Sequence, residues 1–208
     1  MNIAFDPWIP VTMLDGSPKR ISIHDALTQG QLYADLAVRP HERVALMRLL
    51  LCVSHAALDG PTDFDDWESV PQRLPEAASS YLQKWKDSFE LFHPKKPWLQ
   101  VADLSKNTTR SDELSLADLT PVSKLFFENA TGNNPTLFDH QGTNNERTLD
   151  LTDIVTAMIA FQCFSPGGLI SQVYFGLYQT SKTSKDAPCA PGSMIHAFLR
   201  GETLSATL

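Results

Sequence analysis

The sequence predicts an α+β fold, and three observations carry that prediction. A turn signal, Asp15-Gly16-Ser17-Pro18, separates two β-prone runs, "WIPVTML" and "KRISI", near the start. Farther on, apolar residues recur at spacings of three and four over 40–58, 75–91 and from 152 onward. No internal repeat and no regular alternation of strand and helix is present, which argues against a doubly wound parallel sheet. The expected architecture is therefore a mixed domain with an N-terminal β-hairpin, several helices, short strands and long functional loops, spanning 1–208.

Each element has its local reason. Pro10 lacks a backbone donor, so the first strand is expected on a sheet edge. "SIHDALTQG" reads as one or two helical turns stopped by Gly30. From Pro40 to Leu58 a helix is expected to bury Val44, Met47, Leu50, Leu51, Ser54 and Leu58, with Arg43 and Arg48 off that stripe. "DGPTDFDD" reads as a solvated turn. A second helix is expected from about Pro75 to Leu91, because proline suits a first helical position. Its apolar face would be Leu74, Ala78, Tyr81, Leu82, Trp85 and Phe89. The prolines of "FHPKKPWLQV" impose an extended path, and 103–123 is polar and loop-like. A third helix should open near Thr152 as cap with Asp153 in its first turn, present Ile154, Val155, Met158, Ile159 and Phe161, and break at Ser165-Pro-Gly-Gly. A strand in "LISQVYFGLYQ", a Ser/Thr/Lys-rich loop and a short helix or strand over 193–200 complete the pattern. The last residues, "ETLSATL", stop inside an apolar-periodic stretch and read as a cut end.

Composition narrows the function. A chain that is 42% hydrophobic and 20% charged has the material for a core. Its formal net charge of -7 repels phosphate backbones in general, so any nucleic-acid contact must be local. The longest aliphatic run, "VALMRLLLCV", is interrupted by Arg48 and too short to span a bilayer, and no secretory signal opens the chain. No membrane partner and a cytoplasmic location are expected. Cys52, Cys163 and Cys189 are odd in number and far apart, and the six histidines are scattered, so neither a disulfide framework nor a metal site is indicated. Cys52 with His55, or Cys163 with His140, would be the only thiol–imidazole candidates; Cys52 inside "LLLCV" reads as a buried free cysteine. Nucleophile-elbow, P-loop, dinucleotide-binding and HExxH patterns are all missing. No catalytic residue and no cofactor is assigned.

The loops carry more. In Ser165-Pro166-Gly167-Gly168-Leu169 one glycine suffices to end a helix; a second leaves a flat backbone that approaches another surface closely, a duplex minor groove being one such surface. "KLFFENATGNNPTLFDHQG", residues 124–142, mixes side-chain amides with Phe126, Phe127, Leu137 and Phe138. That mixture suits unstacked bases, whose edges amides read and whose faces rings stack on; the plain alternative is a surface loop that its phenylalanines pin to the core. "QTSKTSK" adds Lys182 and Lys185 among small hydroxyls as candidate phosphate contacts.

Five ordered blocks, "FDPWIPV", "RPHERVALMRLLLCVSHAAL", "GNNPTLFDH", "AFQCFSPGGL" and "APCAPGSMIHAFLRGETL", resemble the CasA-type large subunit of the type I-E CRISPR Cascade complex over essentially the whole chain. The resemblance implies a non-catalytic antiviral-defence subunit beside the crRNA 5′ handle. Such a subunit recognises the protospacer-adjacent motif in target double-stranded DNA and helps recruit the helicase-nuclease effector. Other Cascade subunits, crRNA and target DNA would be its partners. It further implies a motif-reading role for Gly167 and Gly168, with Ser165 and Leu169 beside them. Asn134, Leu137, Phe138, Asp139 and His140 would lie on the loop that touches the crRNA handle and neighbouring protein. Family members are more than twice this length and end in a helical bundle, so the chain reads as the N-terminal part of such a subunit. Two other readings stay open: a docking module that does no DNA reading itself, and a thiol-dependent hydrolase.

Overall fold

The computed structural model describes residues 1–102, 104–105, 122–127, 149–165, 167–169, 172–175, 178–182, 197 and 199–208. The chain forms two compact units, one of Met1–Ala102 with Ser193–Leu208 and one of Asp103–Gly192.

In the first unit the expected hairpin forms. Strand β1 (Ile9–Met13) pairs antiparallel with β2 (Pro18–Ile21), Ile9 facing Ile21 and Thr12 facing Pro18. Gly16 takes a φ of 84°, the left-handed conformation that the turn needs. Asp15 Oδ1 accepts hydrogen bonds from the Ser17 N–H at 2.9 Å and the Ser17 hydroxyl at 2.6 Å. A third strand, β3 (Tyr33–Leu36), pairs on the other side, giving the order β2-β1-β3. β1 is thus central, not the edge that Pro10 suggested. Pro10 is accommodated because it sits where the β1–β3 ladder begins, one residue before the Val11–Leu36 pair. There its carbonyl accepts from the Ala37 N–H at 2.9 Å, and only the donor is missing.

Helix α1 (Ile23–Thr28) starts with a reciprocal cap: Ser22 Oγ accepts from the Asp25 N–H at 2.9 Å and the Ser22 N–H donates to Asp25 Oδ2 at 3.3 Å. Helix α2 (Pro40–Leu58) has the predicted bounds and ends at Asp59 and Gly60 with φ of 60° and 100°. Its buried residues are Ala45, Leu46, Met47, Leu50, Val53 and Ser54. Val44, Leu51 and Leu58, expected inside, are half-buried. So apolar a helix offers more than one stripe, and its neighbours choose among them.

Helix α3 (Phe64–Lys84) corrects the expectation most. It starts eleven residues before Pro75, and Pro71 and Pro75 lie inside it. Asp63, expected in a solvated turn, is its cap, accepting from the Asp66 N–H at 2.8 Å. Asp66 Oδ2 in turn accepts from the Thr62 N–H at 3.1 Å, and Arg73 pairs with the same carboxylate. Leu74, Ala78 and Leu82 are buried as expected, but Trp85 is exposed and Phe89 belongs to a separate 3₁₀ turn, Lys86–Phe89.

The core of this unit joins sheet to helices. Ile3, Trp8, Ile9, Val11, Ile21, Ile23, Leu46, Leu50 and Leu82 are all inaccessible, and the Trp8 indole N–H donates to the Ile3 carbonyl at 2.8 Å. In the second unit a two-residue strand β4 (Leu104–Ser105) precedes helix α4 (Leu151–Phe164). After α4 come β5 (Tyr174–Phe175) and β6 (Tyr178–Gln179), in the antiparallel order β4-β5-β6. The single strand expected in "LISQVYFGLYQ" is therefore a hairpin. A 3₁₀ turn, Val122–Leu125, covers the start of the segment that showed no regular spacing. Asp150, not Thr152, caps α4, accepting from the Thr152 N–H at 2.8 Å, while Thr152 is buried. At the C-terminus a short helix α5 (Leu204–Thr207) returns to the first unit and buries Leu204.

Candidate nucleic-acid interface

Helix α4 positions the glycine loop. Its last turn closes on Ser165, whose N–H donates to the Phe161 carbonyl at 2.8 Å and whose backbone is extended, with φ of -65° and ψ of 119°. Ser165 is half-buried; Gly167 and Gly168 are exposed, and Leu169 is 88% exposed. An apolar side chain so far out of the core contributes nothing to folding by burial. A Cβ at Gly168 would meet no atom within 4 Å, and Gly168 does not take a left-handed conformation. Neither crowding nor φ therefore requires glycine at 168, so helix termination does not explain it.

The loop feeds the β5–β6 hairpin. The Thr180 N–H donates to the Val173 carbonyl at 2.9 Å, and the Val173 N–H to Thr180 Oγ1 at 3.1 Å. The chain entering at Gln172 and leaving after Thr180 therefore shares the hairpin's open end. Lys182, exposed, follows directly on that end. Lys185, with Asn134, Leu137, Phe138, Asp139 and His140, lies outside the described residues. Of the segment around them, Phe127 stacks on Phe161 of α4 with ring centroids 5.9 Å apart and an interplanar angle of 11°. That stack ties the start of the 124–142 segment to the helix that ends in the glycine loop, while Phe127 itself stays 47% exposed.

Among the described residues the geometry gives other chemistry little support, and the Cys163–His140 candidate lies outside them because of His140. Cys52 is exposed, not buried as expected, because α2 turns it away from the inward stripe. His55 is exposed as well, and no hydrogen bond joins the two among the described residues. One constellation escaped sequence reasoning. His24 Nε2 lies 3.2 Å from Ser79 Oγ, and His24 Nδ1 lies 3.7 Å from Asp25 Oδ1. Residues 55 apart gave no spacing signal. Ser79 sits mid-helix in α3, where the neighbouring N–H groups are used by the helix ladder and cannot form an oxyanion hole. The contact ties α1 to α3. No group of three or more His, Cys, Asp or Glu that could hold a metal occurs among the described residues. No described helix is long and apolar enough to cross a membrane.

The geometry thus defines a class: an α+β scaffold in which a long apolar helix ends in an exposed Gly167-Gly168 step. Comparison with known proteins makes that class particular. The family described as CRISPR-associated protein Cse1 matches residues 2–208, and the chain belongs to that family. CasA/Cse1 of Thermus thermophilus is 37% identical over 193 residues, which make up 91% of this chain and 35% of that protein. The solved structure of Thermus thermophilus CasA (Cse1) matches with a TM-score of 0.73 and 31% identity over 100% of this chain and 38% of its own. A chain from a CRISPR RNA-guided surveillance complex, pre-nicking, shares the fold with a TM-score of 0.65 at 22% identity, over 88% of this chain and 37% of its own. The chain spans about a third of the length of the curated relative.

Proposed function

We propose that the chain acts within a type I-E Cascade complex as part of its large, non-catalytic subunit. In this reading it recognises the protospacer-adjacent motif in target double-stranded DNA and contacts the crRNA 5′ handle. It also helps recruit the helicase-nuclease, and works in the cytoplasm. Family membership supports the assignment to the complex, and a surveillance-complex chain with the same fold supports it further. The observation that carries DNA reading is the exposed Gly167-Gly168 step leaving α4, with open space where a side chain at 168 would stand.

The mechanism follows from that shape. A backbone without side chains offers N–H and C=O groups at close range to base edges in a narrow groove. The minor groove distinguishes few base pairs by hydrogen bonds, so part of its discrimination is fit. Leu169 beside the glycines supplies an apolar group of the kind that wedges against a base step, and Lys182 a cation for a phosphate. Asn134, Leu137, Phe138, Asp139 and His140 are proposed for the crRNA handle and the neighbouring subunit.

The test uses reconstituted Cascade and two duplexes that differ only in the motif base pairs, at one stated salt concentration. Gly167→Asp/Gly168→Asp is expected to abolish discrimination while assembly stays normal, since the open space at 168 admits a side chain without refolding. Discrimination retained by the variant would sink the glycine-loop assignment and leave the chain as a docking module.

A further inference from the structure

The first unit carries a second feature, independent of the glycine loop. Four of the chain's nine lysines, Lys84, Lys86, Lys95 and Lys96, fall within thirteen residues of a chain whose net charge is -7. All four are exposed. None forms an ion pair among the described residues, whereas Arg39, Arg43, Arg73 and Arg200 each pair with a carboxylate. Within the same stretch Glu90 is committed to the N-terminal ammonium of Met1 at 2.8 Å, leaving Asp87 as the uncommitted acid. Among the described residues this positive charge has no carboxylate partner, on a protein of net charge -7.

Aromatic rings lie between these lysines. Trp85 is 45% exposed and Phe92 62% exposed. Lys84 Nζ stands 5.5 Å from the Trp85 ring centroid, and Lys86 Nζ 5.8 Å from that of Phe5. The segment is folded, not trailing. The Ile3 N–H donates to the Phe89 carbonyl at 2.8 Å, the Leu91 N–H to the Met1 carbonyl at 2.9 Å, and the Trp98 N–H to the Glu90 carbonyl at 3.0 Å. His93 shapes its end: the ring Nδ1 accepts from the Lys95 N–H at 3.1 Å and the Lys96 N–H at 2.9 Å. Both lysines are therefore presented from a fixed turn, beside the exposed ring of Phe92.

We infer that Lys84–Lys96 is a binding site for single-stranded nucleic acid. Its lysines contact consecutive phosphates, and Phe92 and Trp85 offer faces for unpaired bases. Duplex DNA hides its base faces and would use the lysines alone; an unpaired strand engages both chemistries. Lysine, a compact and mobile point charge, suits phosphates whose spacing varies along a flexible strand. Unpaired RNA and unpaired DNA share this chemistry, and probing both distinguishes them.

Fluorescence anisotropy of the chain with labelled oligo(dT) and oligo(U) of about 15 nucleotides, at several salt concentrations, tests the site. Replacing all four lysines by Gln is expected to weaken binding by about tenfold or more at low salt. It should also flatten the slope of log affinity against log salt by about 3, near 0.7 for each lost phosphate contact. The four Lys→Arg replacements, which keep the charge on the same exposed positions, should retain binding. Phe92→Ala is expected to weaken it by about tenfold, the scale of one lost base stack. A wild-type chain that fails to bind either strand at about 100 μM, on the weak edge of non-specific affinities, would overturn the proposal. So would affinity unchanged in the four-Gln variant, or inorganic polyphosphate competing equally against wild type and a Phe92→Ala/Trp85→Ala variant.

Discussion

At the scale of single residues, short polar side chains decide where elements begin. Ser22, 2% exposed, closes the first turn of α1: its hydroxyl satisfies the Asp25 N–H, one of the donors a helix start leaves without a partner. Asp66 does similar work at the surface. The Thr62 N–H and then the Arg73 guanidinium, both donating to it, hold its carboxyl below the ordinary value of 3.8. A depressed carboxyl stabilises the folded state above its unfolded value and loses that contribution as pH falls through the folded one. Asp66→Asn should therefore lower the thermal midpoint at pH 7, and the gap to wild type should close as pH drops below 3.8. Equal midpoints at pH 7 would count against the Thr62–Asp66–Arg73 arrangement. Asp15, lowered by the Ser17 hydroxyl, contributes with the same sign.

At the scale of elements, local chemistry and packing part company. Pro71 and Pro75 each remove one rung of the α3 ladder, yet the helix runs through both, because Leu74, Ala78 and Leu82 on its inner face hold it against the core. Helix α5 shows the opposite case, a short element held by close approach. A Cβ at Gly201 would stand 2.5 Å from Ala206 Cβ and 2.7 Å from the Ala206 backbone, so α5 would have to move. Gly201→Ala should lower stability by up to about 2 kcal/mol, the scale of exposing one buried leucine, here Leu204. Urea denaturation reads this directly, and an unchanged midpoint would show that α5 contributes little. Gly30, where a Cβ would meet Ser205 at 3.0 Å, marks the other side of the same packing.

At the scale of the whole molecule, charge sets what the chain does alone. With a net charge of -7 it has no general attraction for duplex DNA. Its affinity for a random duplex at physiological salt should fall no tighter than the non-specific range, a Kd of about 10⁻⁴ to 10⁻⁶ M. A nanomolar value by anisotropy would show that the local sites outweigh the overall field. On the proposed function, neighbouring subunits of the complex are what would supply the missing attraction, and the glycine loop the discrimination.

The sequence by itself determined the α+β class, the Asp15–Pro18 hairpin, the bounds of α2 and the break after α4. Each is written in residues close to one another: a turn dipeptide, a proline at a helix start, a periodic stripe. Only the tertiary structure decided which strand is central, where α3 begins, which face of α2 turns inward and that Cys52 faces solvent. It also decided that His24 meets Ser79 and that Lys84, Lys86, Lys95 and Lys96 form no ion pair among the described residues. Those outcomes depend on partners far away in sequence, since burial is a property of what packs against a residue and not of its neighbours in the chain.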